Sequence, residues 1–390
     1  MKVDVEPSAS ALEAARAAAP LAADRAEQSE RDRRLVPELV TALRGAGLFR
    51  VCVPRSLGGG EVAPEELVAV MEELGRADGA TAWCVAVAAT SGALAAYLPE
   101  ADAREVYGAP TGCVGGVFAP KGRAVAVQGG YRVTGRWPFT SGVDHSDWLM
   151  GGCLVEDDGD IRVLEGGIPD IRLMLFPASD VEVIDTWTVS GLRGTGSHDI
   201  EVSGLAVPSG RSASLFGDSP RERGSLYAFP VFGLLALAIS GVALGIARGA
   251  VQDLLELAGG KLPTLQTKPL AAQADTQLRM AKAEARLRAA RALVSEAIGE
   301  TWQHVQAGGE FTLRDRAALR MAANHAMTSS AEVVDEMYSL GGGTSIYATS
   351  PLQRRFRDVH TATQHVLVGS SVWQTAGRVL LGQQVRAEQL

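Results

Sequence analysis

The stretch Trp137-Pro138-Phe139-Thr140-Ser141-Gly142, running on to Asp144, His145 and Trp148, closes a strand-like run that begins at Tyr131. Alternating apolar and polar residues of this kind predict a β-strand with one buried face. At its end an aromatic ring, two hydroxyls and a glycine meet, a layout that offers short hydrogen-bonding groups to a flat heterocycle. Taken alone, the hydroxyls of Thr140 and Ser141 serve equally well as caps of their own turn. A second segment, Trp187 and then Gly191-Leu192-Arg193-Gly194-Thr195-Gly196-Ser197, reads as a glycine-rich turn. Its planar Arg193 guanidinium suits either a phosphate or a surface carboxylate.

Working outward, short runs rich in Val, Ile and Trp, punctuated by Gly, Asp and Pro, occupy residues 112–214. They predict antiparallel strands at 131–137, 148–155, 171–177 and 199–207. On both sides the grammar is helical: Ala, Leu, Glu and Arg recur with a spacing of three and four over 8–110 and again over 225–389, with long amphipathic segments at 273–306 and 313–340. The expected fold class is α+β, mostly α, divided into residues 1–111, 112–214 and 215–390. The apolar run 227–246 has about the ~20 residues a bilayer span needs. Pro230, the glycines within it and the lack of flanking aromatic or basic belts predict a buried core helix instead. The Arg and Glu stripe over 279–300 reads as a solvated face or a subunit contact.

With a net charge of −8 and a pI near 5.4, the chain lacks the excess of Lys and Arg that a nucleic-acid surface requires. Its four cysteines, Cys52, Cys84, Cys113 and Cys153, show no ligand-like spacing, so neither a disulfide framework nor a metal site is expected, and a reducing cytoplasm fits best. No signal-peptide pattern is visible.

Both central segments resemble β-domain motifs of the acyl-CoA dehydrogenase superfamily. Within it, W-P-F-x-S-G followed by D-H-S-D-W is most similar to the oxygenase components of two-component flavin-dependent aromatic hydroxylases. The turn Val53-Pro54-Arg55-Ser56-Leu57-Gly58-Gly59-Gly60 and the segment Leu340-Gly341-Gly342-Gly343-Thr344 through Arg357-Asp358, taken as a glycine loop and helix start, resemble the same superfamily. The resemblance implies an N-terminal helical domain, a central antiparallel β-barrel or sandwich and a C-terminal helical bundle, commonly assembled as a homotetramer. It implies that Ser141, with Thr140 and Trp137, contacts a flavin near N5 and O4, and that Arg193, Gly342 and Gly343 serve its phosphate end. His365 is the implied catalytic group, and Trp83, Cys84 and His145 the implied lining of the substrate pocket.

Acyl-CoA dehydrogenases carry a catalytic glutamate on one of two C-terminal helices. This chain has no acidic residue over 359–387 and none over 225–248. Proton abstraction beside a thioester needs a carboxylate-like base within reach, whereas His365 falls beside the glutamate's place. If His360 and His365 share a helix, they face about 140° apart. The resemblance therefore implies reduced FMN, with FAD as the alternative, meeting dioxygen to form a C4a-(hydro)peroxyflavin that hydroxylates a phenolic or polyketide substrate. No G-x-G-x-x-G element follows a strand, so the electrons must come from a separate NAD(P)H:flavin reductase. The competing readings are an acyl-CoA dehydrogenase with a relocated base, an amine or amino-sugar N-oxygenase of the same fold, and a catalytically idle assembly subunit.

Overall fold

The computed structural model describes residues 10–309, 311–387 and 390; the outermost ends of the expected helical regions, Ser8 and Gln389, lie outside them. The N-terminal helices are α1 (Ala11–Asp32), α2 (Pro37–Gly45), α3 (Pro64–Ala77), α4 (Gly79–Ser91) and α5 (Glu100–Tyr107). Their starts follow from local chemistry. Ser10 and Glu13 form a reciprocal capping box on α1, with contacts of 3.2 and 2.9 Å. Helices α2 and α3 open on a proline. Buried Asp78 caps α4 by accepting from the Thr81 N–H at 2.8 Å.

Among the described residues eight strands follow: β1 (Val114–Val127), β2 (Gly130–Thr140), β3 (Trp148–Asp157), β4 (Asp160–Ile161), β5 (Ile171–Pro177), β6 (Glu182–Ile184), β7 (His198–Pro208) and β8 (Ser212–Ala213). They form one open sheet in the order β6-β7-β2-β1-β3-β5-β8, with β4 beside β3, so the expected barrel does not close. One pairing also departs from the antiparallel expectation: β1 and β3 run parallel. The hairpin turns the chain once between β1 and β2, and residues 141–147 turn it again and deliver β3 to the other flank of β1. The longest strand, β1, escapes the strand pattern because Gly115, Gly116, Pro120 and Gly122 interrupt it. Register shifts around Val117, Pro120 and Gly122 absorb these breakers.

The C-terminal helices are α6 (Ser225–Ala228), α7 (Val231–Gly260), α8 (Ala274–Gln306), α9 (Leu313–Gly341), α10 (Pro351–Ala362) and α11 (Ser370–Leu380). The apolar run becomes α7, which packs against α3, α4, α9 and α10 and is 83% buried over its most apolar window. Helices from both ends of the chain thus share one apolar core, from Ala15 and Leu67 through Leu237 and Val242 to Val333 and Val359. Part of the stripe on α8 is spent within the chain: Arg291 pairs with Glu65 and Glu72 of α3, and Arg279 with Glu336 of α9.

Candidate active site

The end of β2 does not continue its alternation, and that decides which aromatic residue is available. Trp137 points into the sheet, wholly buried. Its indole occupies space left by Gly122, Gly135 and Gly151, where a Cβ would strike the ring, and its Nε1–H donates to the Gly152 carbonyl at 2.7 Å. Its place is the sheet core, whereas the resemblance implied a flavin contact. Thr140 is equally enclosed and turns its hydroxyl back to the Trp137 carbonyl at 3.3 Å. Between them the ladder to β7 shifts register, and Phe139 takes a left-handed backbone with φ of +68°. That conformation is costly for a bulky residue. It leaves the Phe139 ring 68% exposed, edge-on to buried Trp187 at 6.2 Å between centroids. The sequence reading missed Phe139, because strict alternation gives it the same face as Trp137.

Ser141 comes next, 6% exposed. Its Oγ accepts from the Trp83 Nε1–H on α4 at 3.1 Å and meets the Ser197 Oγ at 2.7 Å. Ser197 in turn meets the Thr195 Oγ1 at 2.6 Å, and Thr195 donates to the Leu192 carbonyl at 2.8 Å. The hydroxyls of the glycine-rich turn, which the sequence reading passed over in favour of its arginine, back Ser141. Arg193 is directed away, its guanidinium 3.4 Å from the carbonyls of Glu30 and Val189. It staples the turn to the end of α1 rather than presenting itself to a phosphate. The Cys84 Sγ lies 3.8 Å from the Thr195 carbonyl, and burial pushes its thiol well above the usual range. The contact makes Cys84 a packing residue of this turn.

The turn is clamped to α10. Arg357 donates to the Ser190 carbonyl at 2.6 Å and Asp358 accepts from the Leu192 N–H at 2.6 Å, holding Leu192 at φ of +51°. Any Cβ at Gly191 would collide with the Arg357 carbonyl. These two residues stand in the second half of α10, not at its start as their motif suggests. Burial first, and the neighbouring Asp78 second, push the Asp358 carboxyl up to about 7.

Helix α10 ends at Ala362, so the helical angle between His360 and His365 does not apply. His360 pairs with Asp335 at 2.7 Å and packs on Phe356. His365 lies beyond the helix, its ring edge-on to Trp83 at 5.7 Å and 68°. Its Nδ1 accepts from the Leu367 N–H at 3.3 Å, so a neutral ring carries its hydrogen on Nε2. Burial, followed by the nearby Arg320 charge, lowers its pKa to about 4. Arg320 and Asn324 of α9 hold the turn that carries it by donating to the carbonyls of Leu367 at 3.0 Å and Gly369 at 2.9 Å.

Three expected site residues stand apart. The His145 ring is stacked on Phe49 at 5.2 Å, under the bare Cα of Gly142, with its Nε2 buried and unpartnered and its pKa lowered to about 4, chiefly by burial. Gly342 and Gly343 sit at the far end of α10, where Lys261 bonds to the Gly341 carbonyl and, at 2.8 Å, to the Thr344 hydroxyl. The twelve residues of α10 put roughly 18 Å of helix between that loop and His365. One chain therefore brings together Ser141, Trp83, His365 and the hydroxyls behind Ser141, and leaves the glycine loop outside. A buried hydroxyl and an imidazole on either side of one indole fit the edge of a flavin, and the exposed Phe139 ring precedes that hydroxyl by two residues in the chain.

Family models for the acyl-CoA dehydrogenase N-terminal and C-terminal domains match residues 9–105 and 237–369. The chain is 34% identical to the indole-3-acetate monooxygenase of Pseudomonas putida, over 93% of this chain and 91% of that protein. It is 29% identical to the flavin-dependent monooxygenase oxygenase subunit HsaA of Mycobacterium tuberculosis, over 88% and 87% of the two chains. The structure of XiaF from a Streptomyces species, in complex with FADH2 and glycerol, superposes with a TM-score of 0.88 at 27% identity, covering 96% of this chain and 95% of that one. The absent glutamates, the Ser141 hydroxyl chain beside His365 and these likenesses agree: the chain belongs to the flavin-dependent monooxygenases of the acyl-CoA dehydrogenase fold.

Proposed function

We propose that this protein is the oxygenase component of a two-component system, taking reduced FMN or FAD from a separate NAD(P)H:flavin reductase and hydroxylating a small aromatic substrate. The single observation that carries the reading is the convergence of Ser141 from the turn after β2, Trp83 from α4 and His365 from the turn after α10. A reduced flavin, when bound, would supply the two electrons that activate dioxygen, one atom of which passes to the substrate while the other leaves as water. Everything else falls to the protein's own side chains.

Phe139 offers a face for stacking, and its left-handed backbone turns the ring out of the strand. Ser141 provides a hydrogen-bonding oxygen at a site almost closed to water. His365, neutral at physiological pH, directs its Nε2–H toward a substrate oxygen and steadies the aromatic ring for attack. Trp83 bridges the two, bonded to Ser141 and packed against His365, and is the natural wall of an aromatic pocket. The names of the relatives, an indole-3-acetate monooxygenase and an oxygenase subunit, support the substrate class and the need for a reductase.

The test is product formed per reduced flavin consumed, with phenols and indoles as substrates and any soluble flavin reductase as electron source. Ser141→Ala and His365→Ala should each divert most turnover to hydrogen peroxide, with product yield down about 10- to 100-fold, the range of one acid–base or hydrogen-bonding group. Unchanged yield in both variants would exclude the assignment.

A further inference from the structure

Four oxygens stand in a row behind the site: the Ser141 Oγ, the Ser197 Oγ, the Thr195 Oγ1 and the Leu192 carbonyl, separated by 2.7, 2.6 and 2.8 Å. At such separations each pair needs a hydrogen between its oxygens, because two facing lone pairs repel. There are three gaps and three hydroxyl hydrogens, and the carbonyl contributes none. Only one arrangement fills every gap: Thr195 donates to Leu192, Ser197 to Thr195 and Ser141 to Ser197. The Trp83 Nε1–H then occupies one lone pair of Ser141. What Ser141 has left is a single lone pair and no hydrogen.

We infer that Ser141 meets a ligand only as a hydrogen-bond acceptor, and that Ser197 and Thr195, by fixing this polarity from behind, make the site select reduced over oxidised flavin. The inference rests on the flavin reading above. Oxidised flavin presents a bare lone pair at N5, which would face the lone pair of Ser141. Reduced flavin presents an N5–H, which Ser141 can accept. Ser197 and Thr195, each 2% exposed, are positioning residues that act through Ser141. The chain of hydroxyls ends on Leu192, whose N–H is bonded to Asp358 and whose carbonyl also accepts from the Trp187 Nε1–H at 3.2 Å; a carbonyl oxygen can only accept, so the polarity cannot reverse from this end.

Anaerobic titration of the protein with FMN and with FAD, each oxidised and dithionite-reduced and followed by tryptophan fluorescence, tests this without turnover. The wild type should bind the reduced form at least about tenfold more tightly, equivalent to ~1.4 kcal/mol. Ser197→Ala frees the Ser141 hydrogen to point at the ligand. It should tighten oxidised flavin about tenfold and leave reduced flavin within about twofold, since the lone pair remains. Thr195→Val should erase the preference from the other end of the chain, and Thr195→Ser, which keeps three hydroxyls, should retain it. Equal wild-type affinities, or variants that weaken both redox forms alike, would overturn the inference while leaving the flavin site standing. If neither redox form of either flavin binds the wild type, the flavin reading itself fails.

Discussion

Two aromatic residues two positions apart in β2 carry opposite roles, and the difference is one left-handed residue. Trp137 fills space made by three glycines on β1, β2 and β3. Trp137→Ala should cost about 3–5 kcal/mol in urea unfolding, the usual cost of emptying a buried Trp site. Phe139→Ala should leave that stability nearly unchanged and weaken flavin binding about tenfold, ~1.4 kcal/mol; the reverse pattern would place the flavin on the wrong ring. The His365 pKa of about 4, below the ordinary 6.5, has a sign that can be checked. Its neutral form is favoured in the fold, so this contribution to stability is present above pH 6.5 and is lost as pH falls toward 4. The kcat/KM profile should accordingly show no His365 limb between pH 6 and 8; a limb near 6.5 that vanishes in His365→Gln would contradict the burial argument. Residue types were legible here, as Ser141 and His365 stand in the motifs that name them. Orientation was not, because the register shift that turns Phe139 outward is a three-dimensional compromise between β2 and β7.

At the scale of elements, the Ser141 hydroxyl depends on how the turn 190–197 docks on α10. Gly191 leaves no room for a side chain against the Arg357 carbonyl, so Gly191→Ala should destabilise by about 1–3 kcal/mol through overpacking and drop Ser141-dependent coupling with it. Asp358 adds a pH signature. Its folded pKa of about 7 lies above the ordinary 3.8, so the folded protein holds the extra proton and stability falls as pH rises from about 4 to 7. Asp358→Asn keeps an acceptor for the Leu192 N–H and removes the charge, so its melting temperature should exceed the wild type's at pH 8 and match it at pH 4. Equal melting temperatures at both pH values would contradict a raised carboxyl. The order of helical, sheet and helical regions was legible from periodicity, as were α8 and α9 within a residue or two of their ends. Strand β1 was not, since its glycines and Pro120 carry loop signals that bulges accommodate. Nor was the break after Ala362: nothing in Ala362-Thr363-Gln364-His365 ends a helix by propensity, and it is the carbonyls of Leu367 and Gly369, bound by Arg320 and Asn324, that pull the chain away.

Across the whole molecule, the site exists because distant parts of the chain close on one another. Trp83 arrives from the N-terminal helices, Ser141, Thr195 and Ser197 from the sheet, and Asp358 and His365 from the C-terminal helices. The shared apolar core around α7 holds these parts in register. Heat denaturation should therefore show one cooperative transition for both helical regions; separate melting of residues 10–111 would contradict a shared core. The measurement that bears most directly on the central claim is incorporation of isotopically heavy dioxygen into an aromatic substrate, with a flavin reductase, NADH and FMN or FAD supplied and products read by mass spectrometry. One heavy oxygen atom per product molecule, with the amount of labelled product down about 10- to 100-fold in His365→Ala, is the predicted result. Heavy oxygen found only in hydrogen peroxide across phenols and indoles, with thioesters bleaching flavin bound to the protein, would contradict it.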